Sequence, residues 1–196
     1  TLIRVSVIGA TGYAGEELVR LLAAHPQAEI TRLISKSYSG KPFSDVYKSF
    51  KNVLNIELES LDAEKIAKDS DIVFTALPHG ASAEIVPHLI EKNIKIIDFS
   101  GDYRYKDINV YEKWYNLKHP SPHLLIDAVY GLPELYRKEI AQKSLIANPG
   151  CYTTCSILAL APAVANKLIN IKGVIIDAKS GVTGAGRSAS LAFSFC

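Results

Sequence analysis

Strand-like and helix-like stretches alternate from the first residues of this chain, and few folds accept that order. Leu2 to Ile8 reads as a strand. Tyr13 to Ala24 reads as a helix with Leu18, Val19, Leu21 and Leu22 on its inner face, ended by His25-Pro26. Ala28 to Ile34 is a second strand, and a polar loop follows from Ser35 to Asp45. Leu54 to Leu58 then alternates apolar and polar residues at period two, as a half-buried strand should. Leu61 to Lys68 is a short helix, Asp71 to Leu77 a buried strand, Ala81 to Lys92 a helix and Ile94 to Phe99 another strand. Successive strands separated by helices are joined by crossovers, which put helices on both faces of a mainly parallel sheet. An α/β fold is therefore expected.

Ser100 to Ala128 breaks the rhythm. Tyr103, Tyr105, Tyr111, Trp114 and Tyr115 sit among charges and prolines with weak periodicity, which reads as an ordered excursion near a site or interface, or else as an aromatic packing loop. Alternation returns with a strand at Ser144 to Ala147, a helix from Cys151 to about Leu168 and a strand at Gly173 to Lys179. The chain stops at Cys196 within a further helix-like stretch, with no capping glycine or polar tail, so a truncated second domain is expected.

Composition removes several function classes. The 196 residues are 48% hydrophobic and 21% charged, ordinary for a globular protein. A net charge of +2 is too mild to argue for nucleic acid or an anionic membrane surface. No apolar run approaches the roughly 20 residues of a membrane span, and no basic stretch with an apolar core and cleavage site opens the chain. Three cysteines form no disulfide framework, which points to a reducing cytoplasm. The five histidines and three cysteines show no metal-ligand spacing, so no metal is expected.

The first strand runs into Gly9-Ala-Thr-Gly-Tyr-Ala-Gly15. Gly9, Gly12 and Gly15 depart from the commonest G-x-G-x-x-G spacing, yet a strand precedes them and a helix follows, the setting in which phosphate approaches backbone amides. A Rossmann-type, doubly wound parallel sheet is the fold this implies, over residues 1–147, followed by an incomplete α+β domain at 148–196. At the end of the second strand an NAD site usually carries an acid for the ribose 2′-hydroxyl. Here Leu33-Ile-Ser-Lys-Ser37 offers hydroxyls and a cation, with no acid until Asp45, so NADP is expected, with Ser35 and Lys36 on its 2′-phosphate. The plainer reading of these residues is a solvated loop. Leu77-Pro-His-Gly-Ala-Ser82 follows a buried strand at the carboxyl edge of the sheet, where Gly80 and Ser82 could face the cofactor's pyrophosphate or its nicotinamide side. His79 reads as a structural loop histidine more readily than as a base.

Asn148-Pro-Gly-Cys-Tyr152 places Cys151 in the first turn of a helix after an apolar run. A thiol there lies in the field of the helix N-terminus, a setting that activates sulfur as a nucleophile. Cys155, one turn on, reads as core, and Cys196 lies at the break. A nucleophilic thiol and a nucleotide site in one chain suggest thioester chemistry coupled to hydride transfer. In Ser180-Gly-Val-Thr-Gly-Ala-Gly-Arg187 the glycines admit a ligand to the main chain, and Arg187 could clamp an anion bidentately. Arg104 is a weaker anion candidate.

Taken in order, these blocks resemble the N-acetyl-gamma-glutamyl-phosphate reductase family, arginine-biosynthetic relatives of aspartate-semialdehyde dehydrogenase. The matching stretches are Gly9–Gly15, Ser35–Gly40, Leu77–Ser82, Tyr130-Gly-Leu-Pro-Glu134, Ala147–Tyr152 and Ser180–Arg187, over nearly the whole chain. The cysteine block followed by the glycine-arginine block is the specific part. The resemblance implies that Cys151 attacks an acyl phosphate, that phosphate leaves, and that NADPH reduces the thioester to the semialdehyde. It implies cofactor contacts from Gly9, Thr11, Gly12, Tyr13, Ala14, Gly15, Ser35, Lys36, Leu77, Pro78, His79, Gly80, Ser82, Ser180, Gly181 and Gly184. Substrate contacts are implied for Arg104, Glu134, Asn148 and Arg187, and a homo-oligomer, dimer or tetramer, for the full-length protein. Lys36 stands where relatives often carry Arg, and Thr153 where they often carry Pro. The family's acid-base histidine lies downstream of the Arg187 block, and none of His25, His79, His88, His119 or His123 takes its place. Two other readings compete: aspartate-semialdehyde dehydrogenase itself, and a regulatory or scaffold protein that binds NADP and uses Cys151 only as a small hydrophobe.

Overall fold

The computed structural model describes residues 1–186. Its strands are β1 (Ile3–Ile8), β2 (Ala28–Ile34), β3 (Leu58–Glu59), β4 (Ile72–Thr75), β5 (Lys95–Asp98), β6 (Val129–Tyr130) and β7 (Leu145–Ala147). They form one sheet in the order β3-β2-β1-β4-β5-β7-β6, and every pair of neighbours is parallel. The chain winds outward from β1 in one direction through β3, then returns to start the other half at β4. That is the Rossmann-type arrangement, and its direction reverses between β1 and β4, where a crevice opens beyond the carboxyl ends.

The helices are α1 (Tyr13–Ala23), α2 (Phe43–Val46), α3 (Ala63–Asp69), α4 (Ser82–Glu91), α5 (Ile108–Tyr115), α6 (Pro133–Gln142) and α7 (Cys151–Ala165). Two apolar clusters form the core. In one, Val5, Val7 and Leu33 of the sheet pack with Leu18, Val19 and Leu22 of α1 and with Phe43 and Phe50. In the other, Val73 and Ile96 pack with Ile66 of α3 and Val86 and Leu89 of α4. Burying each such side chain stabilises the fold by about 1.5–3 kcal/mol, so helix spacing in the sequence translates directly into sheet coverage.

The backbone divides into two compact units, Thr1–Asn148 and Pro149–Cys196. In the second, α7 is apolar nearly all round and none of its residues is buried. The strand expected at Gly173 to Lys179 does not form. A strand needs a hydrogen-bonded neighbour, and the described residues of this unit contain none; Ile175 is left 92% exposed.

Several local expectations also change in the first unit. The half-buried strand read at Leu54 to Leu58 is a strand only at Leu58–Glu59, alongside Leu33 and Ile34, with an isolated antiparallel bridge between Glu57 and Pro42 before it. The aromatic excursion is ordered: Asp107 caps α5 by accepting from the Asn109 amide, Asn116 ends it at φ 53°, and a 3-10 turn follows at Pro122–Leu125. The elements α2, α5, β6 and α6 were not legible as periodic runs.

Candidate functional site

The turn from β1 to α1 separates glycines the fold needs from one it does not. Gly9 lies at φ 85°, and a Cβ there would stand 2.3 Å from the Ala76 carbonyl oxygen of the neighbouring strand segment. At Gly15 a Cβ would stand 2.3 Å from the Gly9 carbonyl oxygen, so helix and strand pack too closely for any side chain. Gly12 is different. Its nearest neighbour would be 3.6 Å away, an ordinary contact, and it begins α1 with no side chain capping the helix. Space and an uncapped helix end at one residue are what a phosphate group requires. Tyr13 and Ala14, next in line, are exposed.

Beyond the carboxyl ends of β1, β2 and β4 lies a cavity of ≈ 680 Å³, bounded by Gly9, Ile34, Lys36, Leu77 and Ala81. That volume suits a small-molecule or cofactor site. Ser35 and Lys36 part company here. Ser35 is 3% exposed, and its hydroxyl pairs with that of Thr11 at 2.8 Å, tying the glycine turn to the end of β2. The Tyr47 hydroxyl donates to the Thr11 carbonyl at 2.9 Å and braces the same turn. Lys36 is exposed, faces the cavity and has no ion-pair partner among the described residues. Sequence reasoning missed Ser60, Leu61, Glu84 and His88, which also line the cavity. Glu84 and His88, four apart on a helix whose other face is buried, carried a signal that could have placed them.

The turn from β4 to α4 forms the far side. Leu77 and Ala81 reach the cavity, while Pro78 and His79 are exposed. The His79 ring lies 4.3 Å from that of Tyr115. Ser82, first residue of α4, is completely buried, and its hydroxyl has no partner among the described residues.

Arg104 behaves as a strut. Its Nε donates to the Asn148 carbonyl at 2.7 Å and its Nη2 to the Phe99 carbonyl at 2.9 Å, which occupies two of the three nitrogens an anion would need. Nη1 lies beside Gly101, near the Tyr115 hydroxyl and the His79 ring. Burial pushes the Tyr115 phenol upward in pKa, and the adjacent Arg104 opposes the shift. The Asn148 amide donates to the Asp98 carbonyl at 2.8 Å, so both backbone groups of Asn148 are held. Glu134 is exposed in the first turn of α6, which follows β6 at the edge of the sheet, away from the cavity strands.

Within the second unit Cys151 is the first residue of α7, and Gly150 before it is extended with no side-chain cap. The Thr153 hydroxyl donates to the Gly150 carbonyl at 2.8 Å, taking over part of what a proline would preset at the start of the helix. Cys151 is a free, exposed thiol. Cys155, read as core, is exposed as well, and no residue of α7 is fully buried. Ser180, Gly181 and Gly184 are exposed around a 3-10 turn at Val182–Ala185, and a side chain at Gly184 would require the Ser180 hydroxyl to turn aside. Arg187 lies outside the described residues.

A family model for the semialdehyde dehydrogenase NAD binding domain matches residues 4–143, and one for the semialdehyde dehydrogenase dimerisation domain matches residues 151–196. Over 192 residues the chain is 55% identical to the N-acetyl-gamma-glutamyl-phosphate reductase of Acetivibrio thermocellus, covering 98% of this chain and 56% of that protein. Over 186 residues it is 56% identical to the protein of the same name from Halothermothrix orenii, covering 95% and 54%. The chain thus spans about half the length of the curated relatives it matches. Among solved structures, aspartate semialdehyde dehydrogenase II of Vibrio cholerae aligns with a TM-score of 0.64 at 21% identity, over 85% of this chain and 43% of that one. Aspartate semialdehyde dehydrogenase with NADP from Candida albicans aligns with a TM-score of 0.62 at 19% identity, over 85% and 48%. At such identities the likeness is one of fold.

Proposed function

Because the chain belongs to the semialdehyde dehydrogenase family, we propose that this protein reduces N-acetyl-gamma-glutamyl phosphate to N-acetylglutamate 5-semialdehyde and phosphate, with NADPH as hydride donor. The observation that carries the reading is the pairing, in one chain, of a nucleotide-shaped turn at Gly12 and a thiol at the first position of α7. The choice of substrate rests on the relatives above.

The residues fit the cofactor. The uncapped end of α1 suits the pyrophosphate, and Lys36 on the cavity wall supplies a cation for a 2′-phosphate, with no acid at the end of β2 to repel it. When bound, the nicotinamide supplies the hydride that turns a thioester into an aldehyde. The Cys151 sulfur attacks the acyl carbonyl, the carbon–oxygen bond to phosphate breaks, and phosphate leaves with the electron pair. Reduction of the resulting thioester then releases the aldehyde and returns the thiolate. Arg104, through the Asn148 carbonyl, steadies the peptide from which the thiol-bearing turn departs.

In this reading residues 1–147 hold the nucleotide, and the segment from 148 opens the catalytic and substrate-binding domain; Ser180, Gly181 and Gly184 are assigned as cofactor contacts, and Glu134, Asn148 and Arg187 as substrate contacts. A homo-oligomer, dimer or tetramer, is proposed from the dimerisation-domain match. The cytoplasm is the proposed location, since Cys151 must stay reduced to act. No helix among the described residues is long and apolar enough to cross a membrane.

The test is an assay of the full-length protein in the phosphorolytic direction, with NADP, phosphate and either N-acetylglutamate semialdehyde or aspartate semialdehyde. NADPH formation with the first aldehyde is expected. Activity with the second alone would assign the protein to the rival chemistry. Iodoacetamide should label Cys151 near neutral pH far faster than Cys155, and a Cys151 as inert as a core thiol would leave only the scaffold reading.

A further inference from the structure

The cavity beyond β1, β2 and β4 combines apolar walls with a single carboxylate. Ile34, Leu61, Leu77 and Ile85 line it, and its polar side chains are those of Lys36, Ser60, Glu84 and His88. Glu84 is the one acid among the lining residues. It is exposed and forms no ion pair among the described residues.

Glu84 lies in the first turn of α4, where a carboxylate ordinarily offsets the unpaired amides of a helix start. That role is already filled. Asp102, completely buried, accepts from the Gly80 amide at 2.8 Å through Oδ1 and from the Ala83 amide at 3.1 Å through Oδ2. It caps α4 from outside the helix. The Glu84 carboxylate is therefore left for whatever enters the cavity.

In the cofactor reading Lys36 takes the 2′-phosphate. That phosphate and the adenine sit on adjacent carbons of one ribose, so the base enters the same cavity, where apolar side chains suit its flat faces. A carboxylate near a phosphate weakens binding unless it meets a donor. This half of the cofactor offers two uncharged donors: the ribose 3′-hydroxyl, beside the phosphate, and the exocyclic amine, at the far edge of the base. Strand order separates them. Lys36 follows β2 and α4 follows β4, with β1 between. Neighbouring strands lie about 4.8 Å apart, so these two segments leave the sheet about 10 Å from each other. A separation of that size matches the reach from the phosphate across the ribose to the amine, and not the short step to the 3′-hydroxyl.

We propose that Glu84 is a specificity-determining residue: its carboxylate accepts a hydrogen bond from the exocyclic amine of adenine. The cavity then takes an adenine dinucleotide and disfavours one with a 6-oxo base, whose carbonyl oxygen would face the carboxylate. The proposal rests on the cofactor reading above and adds a base preference to it.

The experiment titrates the full-length protein with NADP and with nicotinamide hypoxanthine dinucleotide phosphate, in which a carbonyl takes the place of that amine. The parent should bind NADP about tenfold more tightly, as expected for a charge-assisted hydrogen bond partly open to water. Glu84→Gln should narrow the preference to about twofold or less, because an amide can turn either its oxygen or its nitrogen to the base. Glu84 is exposed, so this variant should melt with the parent. Lys36→Ala should weaken both dinucleotides alike and leave their ratio as it was. A parent with no base preference would overturn the proposal, whatever the variants do. So would a Glu84→Gln protein that keeps the parent's preference, including one weakened equally for both ligands, which would move Glu84 to the ribose. Each of those results leaves the cofactor reading standing. A parent that binds neither dinucleotide removes that reading, and this inference with it.

Discussion

The two units of this chain are similarly rich in apolar residues and use them in opposite ways. In Thr1–Asn148 the sheet is covered on both faces, and side chains such as Val19, Leu33, Val73 and Leu89 are fully buried. In the second unit α7 carries an apolar sequence on nearly every side, yet none of its residues is fully buried, and Ile175 and Ile176 are 92% and 57% exposed. A helix apolar all round is the kind found buried. Apolar sequence therefore states a demand for cover, and a core forms only where neighbouring elements meet that demand. The proposed division of labour follows the same line, with cofactor binding in the well-packed unit and the nucleophile in the sparsely packed one.

The largest expected effect tests that division at the thiol. In the full-length protein Cys151→Ser should lower reductase turnover by about 10³–10⁴-fold or more, because a serine there has no base poised to ionise it. The melting temperature and NADP affinity should stay near wild type, since Cys151 is exposed. A Cys151→Ser protein that keeps its turnover would break the assignment.

Next comes packing. Leu89→Ala, at a site with no exposure, should cost about 2–5 kcal/mol in urea unfolding. Ile175→Ala should cost less than about 0.5 kcal/mol. Equal losses would mean that the second unit is better covered in solution than its structure indicates.

Smaller again is the charge on the cavity wall. Lys36→Glu should weaken NADP by roughly tenfold or more, or about 1.5–3 kcal/mol for a lost charge-assisted contact, with NAD nearly unchanged in a parallel titration. Equal weakening of both would remove Lys36 from the 2′-phosphate.

The smallest effect is acid sensitivity. Hydrogen bonds from Arg4 hold the Asp71 carboxyl below its usual pKa, and Arg32 does the same for Asp69. A lowered folded pKa gives stability that is present above the unfolded value of about 3.9 and is lost as pH falls through the folded one. Both pairs are partly exposed, so the contribution is modest. Urea midpoints should fall below about pH 4, and Asp71→Asn should flatten that fall; an unchanged acid limb would show that the pair contributes nothing.

Much of this protein is determined within short windows of sequence. The strand–helix rhythm of residues 3–34 and 72–98 appears in the structure nearly residue for residue, because period and burial are set by neighbours a few positions apart. The glycine turn was legible for the same reason: Gly9 and Gly15 answer local steric demands. Tertiary structure decided the rest. Two adjacent residues, Ser35 and Lys36, read alike in the sequence, yet one turns inward to Thr11 and the other faces the cavity. Arg104 reads as an anion clamp until the Asn148 carbonyl, 44 residues away, occupies it. The segment at Gly173 to Lys179 has the composition of a strand and forms none, since the described residues of its unit offer no strand to pair with it. Asp102 drew no attention as a sequence position, and only the fold brings it to the amides of Gly80 and Ala83. Backbone sterics and periodicity are properties of a segment, whereas a hydrogen-bond partner is a property of the folded chain, and the functional side chains here are defined by their partners.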